Sequence, residues 1–209
     1  MSARFVIAGT DTGVGKTVFA SALVDALSAC YWKPVQAGLE PETDTDCVAR
    51  LSGASASRLL PEAYRLRTPA SPHYAARLDG RVIDAAALTP PDCAAPLIVE
   101  TAGGVLSPLT RETPTADVLA LWRIPVILVG RTSLGAINHA LLSIEALRRR
   151  AIPLHGFVFC GDENIETQET IVDMGKLRSL GRLPPLAPLT RETLRGAFAQ
   201  AFDIGDFLE

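Results

Sequence analysis

The sequence predicts a three-layer α/β domain in which a mostly parallel β-sheet is flanked by helices. Short continuous apolar runs, such as Pro96–Glu100 and Pro125–Gly130, are typical of strands buried on both faces. Segments with apolar residues at helical spacing, such as Lys16–Ala29 and Ile137–Arg150, alternate with these runs. The alternation favours a parallel sheet covered on both faces, and 209 residues suit a single domain over positions 1–209.

Apolar runs and turn residues place the individual elements. The continuous apolar runs predict six strands: Arg4–Gly9, Tyr31–Val35, Pro96–Glu100, Pro125–Gly130, Leu154–Cys160 and Gly181–Leu183. Helical spacing and capping residues predict the helices: Lys16–Ala29, Asp46–Leu51, one that begins at Ser71-Pro72, Ala85–Leu88 after Asp84, Ile137–Arg150, Ile165–Met174 and Thr190–Phe198. Because such sheets bind ligands at the carboxyl ends of their strands, the residues that follow strands are the candidates for a site.

Composition excludes several classes of function. The net charge is −3 and the one basic triplet, Arg148–Arg150, ends a predicted helix, so nucleic acid is not expected as a partner. No apolar run approaches about 18 residues and no signal peptide is recognised, so neither a membrane span nor secretion is expected. The four cysteines are scattered without a C-x-x-C pair, which predicts no disulfide framework, no zinc site and a cytoplasmic location.

A phosphate-binding motif follows the first strand. The run GTDTGVGKT fits the spacing G-x-x-x-x-G-K-[ST], except that the strict pattern places a glycine at Thr10 and this chain has Gly9 one residue earlier. In such a loop backbone N–H groups and a helix N-terminus bind phosphates, Lys16 reaches the β- and γ-phosphates, and the Thr17 hydroxyl binds Mg²⁺. The strand before it and the helix after it favour a P-loop NTPase-like domain over an ordinary glycine-rich turn.

Three further polar positions lie at predicted strand ends or beside them. Lys33 ends the second strand in a chain whose 20 basic residues include few lysines, so it is a candidate cation of the site rather than an ordinary surface lysine. Glu100 closes a strand ahead of two glycines and suits a Mg²⁺ ligand. In the acidic loop, either Asp44 or Asp46 could be another ligand, and Asp46 could also cap a helix.

Taken together, the motifs resemble the dethiobiotin synthetase family. The resemblance covers about Ser2 to Leu189. It rests on runs that occur in that family's order and approximate spacing: GTDTGVGKT (Gly9–Thr17), KPVQAG (Lys33–Gly38), TDTDCVARLSG (Thr43–Gly53), SPHYAA (Ser71–Ala76), VETAGG (Val99–Gly104) and LGAINHALL (Leu134–Leu142).

The resemblance implies an ATP- and Mg²⁺-dependent ligase that closes a cyclic urea. Its substrates would be 7,8-diaminononanoate, CO₂ and ATP, and its products dethiobiotin, ADP and phosphate, by way of a carbamate and a carbamic–phosphoric anhydride. A homodimer with the site at the subunit interface is also implied.

The same resemblance assigns site residues. The catalytic residues would be Lys16 and Lys33. The nucleotide and its metal would contact Gly13, Val14, Gly15, Lys16, Thr17, Val18, Asp46, Glu100, Gly103, Pro184, Pro185 and Leu186, with Thr17, Asp46 and Glu100 as the Mg²⁺ ligands. The substrate would contact Thr12, Lys33, Ala37, Gly103, Gly104, Gly135 and Asn138, the last two from the neighbouring subunit.

The chain departs from the family pattern at three places. Ala37 stands where the family has serine or threonine, and Thr101 where it often has glycine. The family's adenine-binding asparagine has no counterpart after the strand that ends at Cys160, since Asn164 is not aligned with it. The resemblance therefore implies triphosphate binding but not which base is selected, although Leu183–Leu186 resembles the loop that packs on the base.

Two other classes of protein share the loop. An amidoligase-like domain of cobalamin biosynthesis usually carries a glutaminase domain as well, for which 209 residues leave no room. A switch ATPase of the partitioning type carries an additional lysine early in the loop, near the position where this chain has Asp11. A simple nucleotide-binding scaffold would have no use for Lys33 and the carboxylates.

Overall fold

The computed structural model describes residues 2–208, and a parallel sheet forms its centre. Seven strands make up this sheet: β1 (Arg4–Gly9), β2 (Cys30–Trp32), β4 (Leu59–Leu60), β6 (Leu97–Gly104), β7 (Val126–Arg131), β8 (Leu154–Cys160) and β9 (Ser179–Leu183). Their order is β4-β2-β6-β1-β7-β8-β9, and every pairing in it is parallel. A separate parallel pair is formed by β3 (Val35–Ala37) and β5 (Tyr64–Leu66).

Helices cover both faces of the sheet. They are α1 (Lys16–Leu27), α2 (Asp44–Ser52), α3 (Pro72–Leu78), α4 (Thr115–Trp122), α5 (Ala136–Arg148), α6 (Ile165–Gly175) and α7 (Arg191–Ala201). The alternation of side chains along β1 sends Phe5 and Ile7 into the core under α1, α2 and α7, and Val6 and Ala8 into the core under α4, α5 and α6. The predicted three-layer α/β fold is confirmed. None of the described helices combines the length and hydropathy needed to cross a bilayer.

Several predicted elements differ from the structure. Ala85–Leu88 is not a helix, because four residues can close hardly more than one helical turn and Asp84 instead accepts hydrogen bonds from the N–H groups of Ala86 and Ala87. Helix α2 begins at Asp44 rather than Asp46, since Thr43 is its N-cap. Helix α4 and the β3–β5 pair are additional to the predicted elements.

The expectation that all four cysteines are unpaired is wrong for two of them. Cys30 at the start of β2 and Cys93 in the loop before β6 form a disulfide across 63 positions of sequence. Cys30 pairs with Leu97 in the parallel ladder, which brings the loop that precedes β6 beside β2. Cys47 and Cys160 are free thiols.

Candidate active site

Glycine geometry and a buried lysine shape the loop between β1 and α1. Gly13 and Gly15 have φ values of 67° and 100°, in the left-handed region that favours glycine. Lys16 Nζ donates a hydrogen bond to the carbonyl oxygen of Asp11 over 2.9 Å, so the loop backbone encloses the Lys16 ammonium. A Cβ on Gly9 would lie 2.8 Å from that nitrogen. The close approach explains why glycine stands one residue earlier than the strict motif places it.

Lys16 is 6% exposed and lies at the N-terminus of α1. Burial lowers the pKa of Lys16 to about 8, and repulsion by the Lys33 ammonium adds to the decrease. The backbone N–H groups at the start of a helix and an adjacent ammonium form an anion-binding site. The loop is therefore built to receive phosphate groups.

A second lysine is enclosed by carboxylates next to this loop. Lys33 follows β2 directly and is 2% exposed. Its Nζ lies 2.5 Å from Asp44 Oδ2 and 3.0 Å from Glu100 Oε1, and it donates to the Thr101 carbonyl oxygen over 3.2 Å. The Lys33 ammonium is therefore a fixed, desolvated cation between the Asp44 and Glu100 carboxylates.

The Thr17 hydroxyl joins the same cluster. Its oxygen lies 3.0 Å from Asp44 Oδ1 and 2.9 Å from Glu100 Oε1. Thr17 is in the first turn of α1, Asp44 is the first residue of α2, and Glu100 lies in the middle of β6. Three elements that are distant in sequence thus meet at the carboxyl edge of the sheet, where parallel α/β folds bind ligands.

Mutual attraction fixes the charges of the cluster. Burial opposes the charged form of Lys33, but the Glu100 and Asp44 carboxylates outweigh it and raise the pKa of Lys33 above its usual value. Burial likewise opposes ionisation of Asp44, yet the Lys33 ammonium beside it lowers the pKa of that carboxyl. At neutral pH the lysine and the aspartate are both ionised.

The structure does not bring Asp46 to this cluster. Asp46 is the third residue of α2 and forms a capping box with Thr43, whose hydroxyl donates to Asp46 Oδ2 over 2.6 Å. Asp44 occupies the position beside Thr17 that was predicted for Asp46, and its N–H donates to Gln36 Oε1 over 3.2 Å. Of the two aspartates that the sequence left open, Asp44 is the one that lies beside Thr17 and Lys33.

A cavity of about 670 Å³ extends from the loop across this cluster. It brings together ten of the predicted site residues: Thr12, Gly13, Gly15, Lys16, Thr17, Val18, Lys33, Ala37, Glu100 and Gly103. Pro69 to Pro72, at the start of α3, form part of its opposite wall. This volume is within the range of small-molecule sites.

Other predicted residues lie outside the cavity lining. Val14 is buried beneath the loop, and the Gly104 N–H is bound by the Ser107 hydroxyl. Gly135 and Asn138 are exposed at the start of α5, on the far side of the loop. Pro184, Pro185 and Leu186 follow β9 directly, next to the end of β8.

The sequence interpretation assigned no role to several side chains that touch the site, among them Gln36, Ser107, Arg131 and Tyr31. Arg131 ends β7, and its Nη2 donates to the Thr12 carbonyl oxygen of the loop over 2.7 Å. Tyr31 in β2 donates its hydroxyl to Glu100 Oε2 over 2.9 Å. The strand-end rule could have found Arg131, and the two-residue period of a strand could have placed Tyr31 on the same face as Lys33.

The oxygen atoms of the cluster fit a magnesium ion. Mg²⁺ prefers one or two carboxylates together with hydroxyl, phosphate and water oxygens, and Thr17, Asp44 and Glu100 present such atoms within about hydrogen-bond distance of one another. Among residues 2–208, no three His, Cys, Asp or Glu side chains are grouped to hold a metal by themselves. Such a set of oxygen atoms is typical of Mg²⁺ sites that also include substrate phosphates.

Comparison with known proteins gives the family. The sequence profile described as an AAA domain matches residues 3–193. The ATP-dependent dethiobiotin synthetase BioD of Agrobacterium fabrum is 63% identical over 209 residues, which cover 100% of this chain and 99% of that protein. The protein of the same name from Nitrobacter hamburgensis is 61% identical, with 100% and 99% covered.

Solved structures share the fold at much lower identity. The ParA family ATPase from Chlorobium tepidum TLS superposes with a TM-score of 0.53 at 16% identity, with 96% of this chain and 93% of that chain covered. The apo McdA structure from Cyanthece gives 0.54 at 11% identity, with 94% and 91% covered. Identities as low as these show only that the P-loop fold is shared. The family is shown by the full-length relatives above 60% identity. The chain belongs to the ATP-dependent dethiobiotin synthetase family.

Proposed function

We propose that this protein uses ATP and Mg²⁺ to close the ureido ring of dethiobiotin from 7,8-diaminononanoate and CO₂. The observation that carries the proposal is Lys33, which is held between Asp44 and Glu100 on the wall of a cavity that begins at the phosphate loop. A buried cation beside a phosphate site is what a phosphoryl-transfer ligase requires. Membership of the dethiobiotin synthetase family names the acceptor.

The reaction proceeds in three balanced steps. One substrate amine adds to CO₂ and loses a proton, which gives a carbamate. A carbamate oxygen attacks the γ-phosphorus while the bond to ADP breaks, which gives a carbamic–phosphoric anhydride. The second amine then attacks the carbamoyl carbon, loses its proton and expels phosphate. Each step needs alignment and charge neutralisation more than covalent participation by the protein.

The two buried lysines supply the charge. Lys16 lies in the loop, where it neutralises the phosphates and the ADP leaving group, and Lys33 faces the transferring phosphoryl group and the carbamate oxygen. Thr17, Asp44 and Glu100 hold Mg²⁺. When bound, the ion neutralises phosphate oxygens. Desolvation makes all of these interactions stronger than they would be in water.

The remaining cavity wall receives the diamine or its carbamate. Thr12, Gly103 and Gly104 are proposed to lie beside it, with Ala37 contributing its backbone in place of a hydroxyl. Gly103 has a left-handed φ of 66°, and a Cβ there would lie 2.3 Å from Ser107 Oγ, so this part of the wall requires glycine. The Gly104 N–H is already bound by that Ser107 hydroxyl and is free only if Ser107 turns away.

A homodimer completes the proposed site. Gly135 and Asn138 would bind the substrate carboxylate of the neighbouring subunit at the N-terminus of α5. Leu134 and Leu142 are exposed beside them, and apolar side chains exposed in this way favour a protein contact on this face of α5. Residues 1–209 would act as one ligase domain within each subunit.

The base would lie near the ends of β8 and β9. Pro184, Pro185 and Leu186 are proposed to pack against it, and the Cys160 thiol is the side chain that ends β8 there. A thiol is a weak hydrogen-bond donor, so base selection would depend on backbone groups of this region.

The proposed location is the cytoplasm, because the reaction consumes ATP. In a reducing compartment Cys30 and Cys93 would be held as thiols. Trapping free thiols in intact cells therefore tests the proposed location. Cys30 and Cys93 would be labelled in the cytoplasm, whereas the disulfide of the structure would leave them unlabelled.

Product mass tests the proposed function directly. The protein is incubated with 7,8-diaminononanoate, ¹³C-bicarbonate and MgATP, and the product is expected to have the mass of dethiobiotin with one ¹³C, formed in equal amount with ADP. Omitting bicarbonate is the control and should abolish the product. ATP hydrolysis without dethiobiotin would instead favour a switch ATPase.

A further inference from the structure

We infer that Tyr31 is a positioning residue that orients the Glu100 carboxylate for Mg²⁺–nucleotide binding, an inference that rests on the proposed function. The Tyr31 side chain is fully buried, at 0% exposure, and its hydroxyl donates to Glu100 Oε2 over 2.9 Å. The family resemblance assigned no role to this residue. Its hydroxyl is the structural link between the core of the sheet and the charged cluster.

Strand geometry places the two side chains together. In the ladder between β2 and β6, Tyr31 pairs with Ile98, so the face that carries Tyr31 also carries Ile98 and, two residues on, Glu100. Lys33 lies two residues after Tyr31 along the chain. Tyr31 therefore supports the carboxylate from the core side, while Lys33 contacts it from the cavity side.

The two oxygens of Glu100 have separate partners. Oε1 accepts from Lys33 Nζ over 3.0 Å and from Thr17 Oγ1 over 2.9 Å, and Oε2 accepts from Tyr31 alone among the hydrogen bonds of the described residues. The last torsion of a glutamate is broad, so packing alone does not set the orientation of a carboxylate. The hydroxyl fixes Oε2 in the core and leaves Oε1 to face Thr17 and the cavity.

Loss of this hydrogen bond would leave Oε2 buried without a donor. A buried acceptor without a donor is unfavourable. The Glu100 carboxylate would therefore rotate so that Oε2 also approaches Lys33 or Thr17, and Oε1 would lose its fixed position. Hydrogen-bond partners of metal ligands typically change metal affinity by about 10- to 100-fold when they are removed. A residue that only fills the core would change stability and leave metal affinity unchanged.

The test is Tyr31→Phe, which keeps the ring and removes the hydroxyl. Calorimetry measures binding of a non-hydrolysable ATP analogue at increasing Mg²⁺ concentration. We expect metal-free binding close to that of the unchanged protein and an apparent Mg²⁺ dissociation constant raised by about tenfold. The matched control is Tyr64→Phe, whose hydroxyl accepts from the Asp84 N–H at 2.9 Å outside the cavity lining.

The outcomes distinguish failure of the inference about Tyr31 from failure of the proposed function. If the unchanged protein shows no Mg²⁺-dependent binding of the analogue, the proposed function fails. If it does, and Tyr31→Phe has the same Mg²⁺ dependence with reduced thermal stability, Tyr31 is a core residue only and the inference is overturned.

A second variant covers the case in which Tyr31→Phe does not fold. Replacing Tyr31 with 3-fluorotyrosine keeps the hydroxyl and makes it a stronger donor, which changes both the orientation and the charge of the Glu100 carboxylate, so the midpoint of the Mg²⁺ titration is expected to shift. An unchanged titration in that variant would also overturn the inference.

Discussion

Helix α1 has a charge cluster near each end, and the two clusters differ in burial. Near the N-terminus, Lys33 and Glu100 are 3% and 1% exposed beside the loop. Near the C-terminus, Asp25 accepts hydrogen bonds from Arg191 and Arg195 of α7 at 2.8 and 2.9 Å, and these arginines are 40% and 62% exposed. Both clusters join elements that are distant in sequence, and Asp25 and Arg195 also line a cavity, of about 540 Å³, but the phosphate-binding loop lines only the cavity of the N-terminal cluster.

Burial determines the role of each ion-pair cluster. Around Asp25 both carboxylate oxygens are bound by arginine and solvent screens the charges, so the contribution of the cluster to stability is small and local. Around Lys33 the charges are desolvated and each is held by the others, so removal of one changes the field at the site strongly. We therefore propose that the inner cluster, around Lys33, acts on ligands, whereas the outer cluster, around Asp25, holds α7 against α1.

The largest effect is expected for Lys33→Ala. Loss of a desolvated cation at a transferring phosphoryl group is expected to lower kcat by about 10³-fold or more, with less than about tenfold change in binding of an ATP analogue. Turnover is followed by dethiobiotin formation. Lys176→Ala is the control, since Lys176 is an exposed C-cap of α6, and activity retained in Lys33→Ala would contradict the catalytic assignment.

A smaller effect separates the two aspartates of α2. Asp44→Asn is expected to raise the Mg²⁺ concentration for half-maximal activity by about tenfold or more, because it removes a charged oxygen beside Thr17. Asp46→Asn is expected to leave that concentration unchanged and to cost about 1 kcal/mol of stability through the capping box. A Mg²⁺ shift in Asp46→Asn but not in Asp44→Asn would reverse the assignment.

The smallest effect is expected at the outer cluster. Asp25→Asn is predicted to lower the free energy of unfolding by about 1 kcal/mol and to leave turnover unchanged, since its arginine partners are solvent-screened. Unfolding by urea measures the first quantity. A loss of turnover with intact fold would show that the two ends of α1 are coupled.

The stability difference between the unchanged protein and Asp25→Asn is expected to depend on pH in a definite direction. Burial of Asp25 opposes ionisation, but hydrogen bonds from Arg195 and Arg191 outweigh it and lower the pKa of the carboxyl below its usual 3.8. A carboxyl with a lowered native pKa contributes stability above its unfolded value and loses it as pH falls through the native value. The difference in the free energy of unfolding between the unchanged protein and Asp25→Asn is therefore expected to become smaller below about pH 4. It is compared at pH values at which both proteins are folded in the absence of urea.

Local patterns predicted the loop between β1 and α1, whereas two predicted strand ends are wrong: β6 continues past Glu100 to Gly104, and β2 ends at Trp32. Lys16, Thr17 and Glu100 were predicted because a strand followed by a glycine-rich loop or by a carboxylate and glycines is a short-range signal. The distinction between Asp44 and Asp46 depends on a single residue, Thr43, because its position as N-cap fixes which aspartate opens α2. The T-x-x-D spacing contained that signal, since it approximates a capping box.

Long-range contacts were not readable in the same way. Cys30 and Cys93 meet because β2 lies beside β6, an adjacency that follows from strand order and not from cysteine spacing. The bond between Tyr31 and Glu100 depends on the same adjacency and on the register that pairs Tyr31 with Ile98. Neither strand order nor register is contained in the apolar periodicity that predicted the strands.

Strand β6 also ties ligand binding to the cohesion of the sheet. It lies between β1 and β2, its first five residues are buried, and Ala102 and Gly103 in its last part line the cavity. Amide hydrogens of such a strand exchange with solvent chiefly through opening of the whole core. A ligand at about 100 times its dissociation constant would raise the free energy of that opening by about 2.7 kcal/mol. Amide exchange of β6 is therefore expected to report both nucleotide binding and global unfolding.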